Sequence, residues 1–204
     1  MTIAAQLVFE EPTLFGSWNS PQSLEHKPFT CGYCGVHIGH REGYYFHHRN
    51  KGDNFSTVRI CSSCHRPTYF EGANQIPGPL VGRKVEHLPT DIGALYEEAR
   101  QDFSNSSFTS ASLILRKILM HLAVYKGAAE GLSFQQYVDY LTTAGFVPPD
   151  GKAWVDRIRS KGNEANHQIV IVGYRDADDV LTFTEMLLRF IYEMPGRLRP
   201  IATT

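Results

Sequence analysis

Two groups of side chains in this sequence have the types and spacing for chemistry. The first is a pair of Cys-x-x-Cys units, Cys31-Gly-Tyr-Cys34 and Cys61-Ser-Ser-Cys64, which together use all four cysteines. Each unit is a tight turn that presents two thiolates to one point, and four thiolates in tetrahedral array suit Zn²⁺. A four-thiolate site is closed. It keeps no coordination position for a substrate, so the zinc is expected to be structural. The second group is Arg159-Ser-Lys-Gly-Asn-Glu-Ala-Asn-His167. On a helix Arg159, Asn163 and His167 stack at steps of four. The row beside them is apolar: Trp154, Ile158, Gly162, Ala165 and Ile169. An imidazole exchanges protons near neutral pH, a guanidinium pairs with phosphate, and an amide orients either one. That set is adequate for cleaving RNA through its 2′-hydroxyl without a metal. It is equally suited to a non-catalytic seam with a partner, or to a packed network that locks one helix to the next.

The elements that must carry these groups change character along the chain. Residues 1–28 hold Leu7, Val8, Phe9, Leu14, Phe15 and Trp18, but Pro12, Gly16, Pro21 and Pro28 break every period, so an irregular arm is expected. Residues 29–70 read as a zinc ribbon. Strands over Tyr44–His47 and Phe55–Ile60 are joined by a turn in Asn50–Asn54. So small a module has little core, and the metal would supply much of its folding energy. His37, His40, His47, His48 and His65 lie close by as further candidate ligands. Residues 71–88, with Gly72, Pro77, Gly78, Pro79 and Gly82, read as a linker.

From Leu88-Pro89 the hydrophobic period becomes helical. Helices are expected over about 91–103, 107–125 and 133–144, then from about 150 through the polar row, and over about 176–193. Gly127 and Gly145 are placed as stops. The remaining residues, 196–204, form a tail. The expected fold is therefore mainly α: a four- to five-helix up-and-down bundle behind a small N-terminal β zinc ribbon.

The formal net charge is −1, so the whole molecule carries no field that would by itself attract nucleic acid. The cysteine-bearing segment is different. Residues 31–70 hold five basic side chains against two acidic ones. Within it Arg49, Lys51 and Arg59 are candidate contacts for a phosphate backbone, and Arg116, off the apolar stripe of the second helix, is another. Gly-rich phosphate loops, His-Glu-x-x-His and a nucleophile elbow do not occur. No apolar run approaches the ~20 residues of a membrane span, and the N-terminus has no basic opening of a secretory signal. A cytoplasmic protein with reduced thiols is expected.

Several short runs in the helical half carry a family resemblance. They are Leu88-Pro89, Tyr96-Glu97-Glu98-Ala99, Leu115-Arg116-Lys117, Gly162-Asn163-Glu164-Ala165-Asn166-His167 and Asp176-Ala177 ahead of a Leu-rich helix ending at Pro195. In order and spacing, residues 88–195 resemble an uncharacterised bacterial family, the domain of unknown function numbered four-one-four-five, placed in the HEPN superfamily. The resemblance implies a helical domain, residues 89–195, that pairs as a homodimer. It also implies kinship with RNases of prokaryotic defence systems, which use an Arg, the polar residue after it and a His four residues further on. Asn163 and His167 match the last two, while Gly162 stands where the arginine belongs and Arg159 lies one helical turn before Asn163. The expected function is accordingly a zinc-binding, dimeric, RNA-associated module of a defence or regulatory system. The alternatives are a metal-independent endoribonuclease using His167 with Arg159, and a non-enzymatic adaptor that binds a protein.

Overall fold

A computed structural model describes residues 20–39, 41–47, 55–148, 151, 154–158 and 171–198. Its first half is built on short strands. They are β1 (Gln22–Ser23), β2 (Phe29–Thr30), β3 (His37–Ile38), β4 (Glu42–His47), β5 (Phe55–Ile60), β6 (Pro67–Glu71) and β7 (Asn74–Ile76). Five of them form one antiparallel sheet in the order β1-β4-β5-β6-β7, and β2 pairs with β3 beside it. The register sets Tyr45, Thr57, Phe70 and Gln75 in one row across the sheet. Side chains two residues apart share a face. Thr68 and Phe70 of β6 are thus buried together, and Phe70 meets Phe29 of β2 edge-to-face at 5.1 Å. The hairpin from β6 to β7 turns on two residues, and Gly72 has φ 58 at the first of them. That is where such a turn takes glycine.

The second half is helical: α1 (Thr90–Ser104), α2 (Phe108–Tyr125), α3 (Phe134–Thr143), α4 (154–158 of the described residues) and α5 (Tyr174–Leu188). A π-helical turn (Arg189–Glu193) continues α5 into the short α6 (Met194–Arg197). Helix α2 lies at the centre and touches α1, α3 and α5. Their inward residues recur at helical spacing: Ile92, Tyr96, Ala99 and Phe103 of α1, and Ala111, Leu115, Ile118 and Leu122 of α2. Tyr125, the last residue of α2, is 58% exposed and stacks on Tyr192. Helix α3 starts with a capping box made by Ser133 and Gln136.

The mainly-α expectation is overturned. The chain is mixed α/β, with a five-stranded sheet where a two-stranded ribbon was expected. Three strands join the two expected: β6, which follows the second cysteine turn and pairs back on β5, and β1 and β7 at the margins. Strands β1 and β7 are two and three residues long, too short to show a period of their own. They fall in segments whose Pro and Gly content reads as arm and linker. Tertiary pairing with β4 and β6, rather than local propensity, makes them strands.

Candidate metal centre

The two Cys-x-x-Cys turns have the same backbone. Gly35 donates its N–H to the Cys31 carbonyl at 2.9 Å, and His65 donates to the Cys61 carbonyl at 2.8 Å. The Cys31 N–H returns to Val36 and the Cys61 N–H to Arg66, both at 3.0 Å. The fifth residue of each turn is left-handed: Gly35 at φ 72 and His65 at φ 57. His65 thus holds with its backbone the bend that Gly35 holds in the first turn.

These turns bring the four sulfurs within 4.8 Å of one another. Cys31 and Cys64 Sγ are 3.7 Å apart, as are Cys34 and Cys61 Sγ. A tetrahedron with metal–sulfur bonds of about 2.3 Å has an edge of about 3.8 Å, whereas a disulfide would need about 2.05 Å. The donor set therefore fits a thiophilic dication held by Cys31, Cys34, Cys61 and Cys64. Backbone N–H groups already point at the sulfurs: Tyr33 at Cys31 (3.4 Å) and Cys64 at Cys61 (3.5 Å). Cys31 and Cys61 are fully buried. Burial pushes the Cys31 and Cys64 thiols up. At Cys34 burial acts in the same direction, but the Val36 N–H and the neighbouring thiols outweigh it, and its pKa falls. A bound dication is what lets all four ionise together in so small a space. Among the described residues no histidine joins the cluster. His37 instead shares a hydrogen bond of 3.2 Å with Thr30.

The four-cysteine unit is seated on α1. Ser104, 4% exposed, donates its hydroxyl to the carbonyls of Gly78 (2.6 Å) and Gly32 (3.2 Å). Gly78 returns its N–H to the Ser104 carbonyl at 2.8 Å, and Gln101 donates to the Tyr33 carbonyl at 3.1 Å. The fit is tight at Gly32. A Cβ there would lie 2.3 Å from the Gly78 carbonyl oxygen and 2.8 Å from Ser104 Oγ. Glycine inside the first Cys-x-x-Cys is thus required by the docking, not by the metal.

Residues 80–89, read from the sequence as linker, form a strap across α1 and α5. Arg100, 6% exposed, donates to the Val81 and Gly82 carbonyls, each at 2.9 Å, and to Glu97 at 2.7 Å. The Tyr96 hydroxyl donates to the Arg83 carbonyl at 3.2 Å, and the Arg83 N–H bonds Glu185 at 2.9 Å. Gly82 has φ 72, and a Cβ on it would lie 2.9 Å from Leu181 and 3.0 Å from the Tyr96 hydroxyl. The strap is held as firmly as the helices it crosses.

A family model described as Domain of unknown function (DUF4145) matches residues 97–203. That span is more than half of the chain. The chain belongs to this family. The match begins inside α1 and runs through α2, α3 and α5, so the sheet, the four cysteines and the strap lie outside it. The comparison with curated proteins and that with solved structures returned no match.

The residues expected at a site fall in three places. The four cysteines converge. Arg59, expected to face nucleic acid, is 3% exposed. It donates to the Glu25 carbonyl at 2.9 Å and lies 5.9 Å from the Phe70 ring centre. It lies opposite Thr68 and two residues from Thr57, on the face that these residues and Phe70 bury. Arg116 is half-buried, with its guanidinium 4.4 Å over the Phe134 ring. Arg49, Lys51, Arg159, Asn163 and His167 lie outside the described residues. Sequence reasoning missed Gly32, Ser104, Arg100 and the strap. For Arg100 a signal was present: a charged residue four after Tyr96 and eight after Ile92 stands on the apolar stripe of α1.

Proposed function

We propose that this chain is a zinc-stabilised, nucleic-acid-associated binding module, with RNA as its partner class. The supporting observation is the four-cysteine cluster. Its 3.7 Å sulfur spacing suits Zn²⁺, and it is closed, which favours scaffolding over catalysis. In this reading the zinc folds the ribbon and fixes it on the helical unit. The helical unit belongs to a family of unknown function, and we infer its kinship with the HEPN superfamily from the order of short runs across residues 88–195.

A homodimer through the helices is part of the proposal. Met186, Phe190, Met194 and Leu198 follow at steps of four along α5, the π turn and α6, and the last three are 48%, 56% and 85% exposed. A step of four overshoots an α turn and falls short of a π turn, so the two drifts offset and the stripe stays straight. A continuous exposed apolar stripe of this kind suits a partner surface. A role in prokaryotic defence or regulation follows from the kinship alone. The catalytic alternative depends on Arg159 and His167, outside the described residues, and no described feature favours it over binding. The adaptor reading keeps the same zinc and the same dimer but replaces RNA by a protein.

The test is binding of the zinc-loaded chain to a labelled single-stranded RNA oligonucleotide across a salt series, with particle mass read by light scattering on the same sample. Salt-sensitive binding by a two-chain particle is expected. Absence of binding at ~20 mM salt, where phosphate contacts are at their strongest, would overturn the RNA reading and leave the adaptor.

A further inference from the structure

Beside the metal centre lies an open trough of about 860 Å³. Its walls come from three places: the first cysteine turn (Tyr33, Cys34, Gly35), the strap (Leu80 and 82–89) and the start of α1 through Tyr96, Glu97 and Arg100. We propose that this trough is the seat of a single-stranded nucleotide chain, whose phosphates lie against Arg83 and Lys84 and whose bases meet Tyr33. The proposal rests on the nucleic-acid reading above and names the surface that carries it.

The charges decide the sign of the ligand. Two carboxylates line the trough: Glu97 is paired with Arg100 at 2.7 Å, and Glu86 lies 3.8 Å from Arg197, a guanidinium that pairs more closely with Glu193. Arg83 and Lys84 are exposed and have no ion pair among the described residues. Their backbone is fixed, because the carbonyls of Val81, Gly82 and Arg83 are drawn toward α1 by Arg100 and Tyr96. That arrangement turns the strap's electronegative atoms inward and leaves two adjacent cations on the trough. The backbone beneath them is therefore already ordered, and only their side-chain freedom is lost when they bind.

The aromatic wall decides its class. Tyr33 is half-buried, backed by the Arg66 guanidinium 5.3 Å from its ring centre and tied at its carbonyl by Gln101. A held ring beside two adjacent exposed cations is the pattern that holds single strands, through base stacking and phosphate pairing together. An enclosed pocket would suit a free metabolite and bury most of its surface. This trough is only partly enclosed, which suits a segment of a polymer better than a free metabolite.

The measurement is fluorescence anisotropy of a 12-nucleotide oligouridylate with the full, zinc-loaded chain. Arg83→Glu/Lys84→Glu is expected to weaken binding at least tenfold. The slope of log K against log salt should fall by about 1.4, the share of two phosphates on a single strand. Lys117→Glu/Arg175→Glu, an equal charge change on exposed helix positions elsewhere, should change binding less than twofold. Tyr33→Phe should bind like the wild type, whereas Tyr33→Ala should not. Zinc content and circular dichroism of each variant report its folding, and Arg83→Gln/Lys84→Gln replaces the double reversal if that variant does not fold. Wild-type binding that survives loss of both cations would overturn the trough while leaving the nucleic-acid reading intact. Failure of the wild type to bind would remove both. Displacement by uridine monophosphate, or by polyglutamate, as effectively as by the oligonucleotide at equal charge would also overturn it, by reassigning the site to any small or polymeric anion.

Discussion

Ser106 ends α1 at φ 62, in the left-handed region. Helices α2 and α3 end in the same way, but there the residue is Gly127 at φ 107 and Gly145 at φ 82. All three ends close by paired bonds. Ser107, Ala128 and Phe146 donate back to Asp102, Ala123 and Leu141, and Ser106, Gly127 and Gly145 to Phe103, Val124 and Thr142. Serine bears a steric cost in that conformation that glycine does not. Ser106 is exposed, so little packing is lost with its side chain. Ser106→Gly is expected to stabilise the protein by about 0.5–1 kcal/mol, raising Tm by roughly 2 °C in a thermal melt. A lower Tm would mean that the hydroxyl has a role the backbone geometry does not explain. Gly32 is the opposite case, a glycine whose φ is ordinary and whose missing Cβ is what matters.

At the scale of elements, the strap and α1 behave as one piece because Tyr96 and Arg100 hold them together. The Tyr96 phenol is 2% exposed and sits beside the Glu185 carboxylate, 3.4 Å away. Burial, and then that negative charge, push its pKa well above the ordinary value of 10.0. An unfolded tyrosine loses its proton near pH 10, while the folded one keeps it to higher pH. Between those values the native state binds more protons than the unfolded state. The stabilisation is therefore complete below about pH 10 and declines as pH rises beyond it. Tyr33 and Tyr192 are also raised, first by burial, so they add to the same decline. Tyr96→Phe is expected to cost about 1–2 kcal/mol at pH 8 through the lost hydrogen bonds, and to lose less stability than the wild type between pH 8 and 10.5. Denaturant titrations at the two pH values measure both. Equal alkaline losses in the two proteins would show that Tyr96 does not set this limb.

At the scale of the molecule, the metal centre and the helices are one mechanical system. The first cysteine turn is bound to α1 through Ser104 and Gln101, and Gly78 closes the same contact from the strap's side. Stripping any metal held by the four cysteines with a chelator under reducing conditions should release that turn. The helical signal in circular dichroism should largely persist, because the helical core is separate from the small cluster of Phe29, Cys31, Cys61 and Phe70. The melting point of the helices should nonetheless fall by roughly 5–10 °C, as several hydrogen bonds of about 1 kcal/mol each are lost with the docking. Unchanged melting of the helices would show that the two parts are independent. No helix of the described residues is long and apolar enough to cross a membrane.

Much of this protein was legible from the sequence, because local rules govern those parts. Cys31, Cys34, Cys61 and Cys64 announce by spacing alone a four-sulfur cluster that could hold a metal, since a Cys-x-x-Cys turn fixes where its sulfurs point. The helices and the stops at Gly127 and Gly145 follow from a 3.6-residue period and from the conformational freedom of glycine. The helical half could also be matched to its family. What tertiary structure alone decided is where unlike segments meet. Two- and three-residue strands exist only through their partners, and so the sheet was underestimated. Arg59 reads as a surface cation until the face it shares with Thr57, Thr68 and Phe70 proves to be buried. The segment 80–89 reads as a linker because its order comes from Tyr96, Arg100 and Glu185, residues 13 to 102 positions away along the chain. Contacts of that range leave no period in a sequence, and they are what places the Arg83–Lys84 pair over the trough.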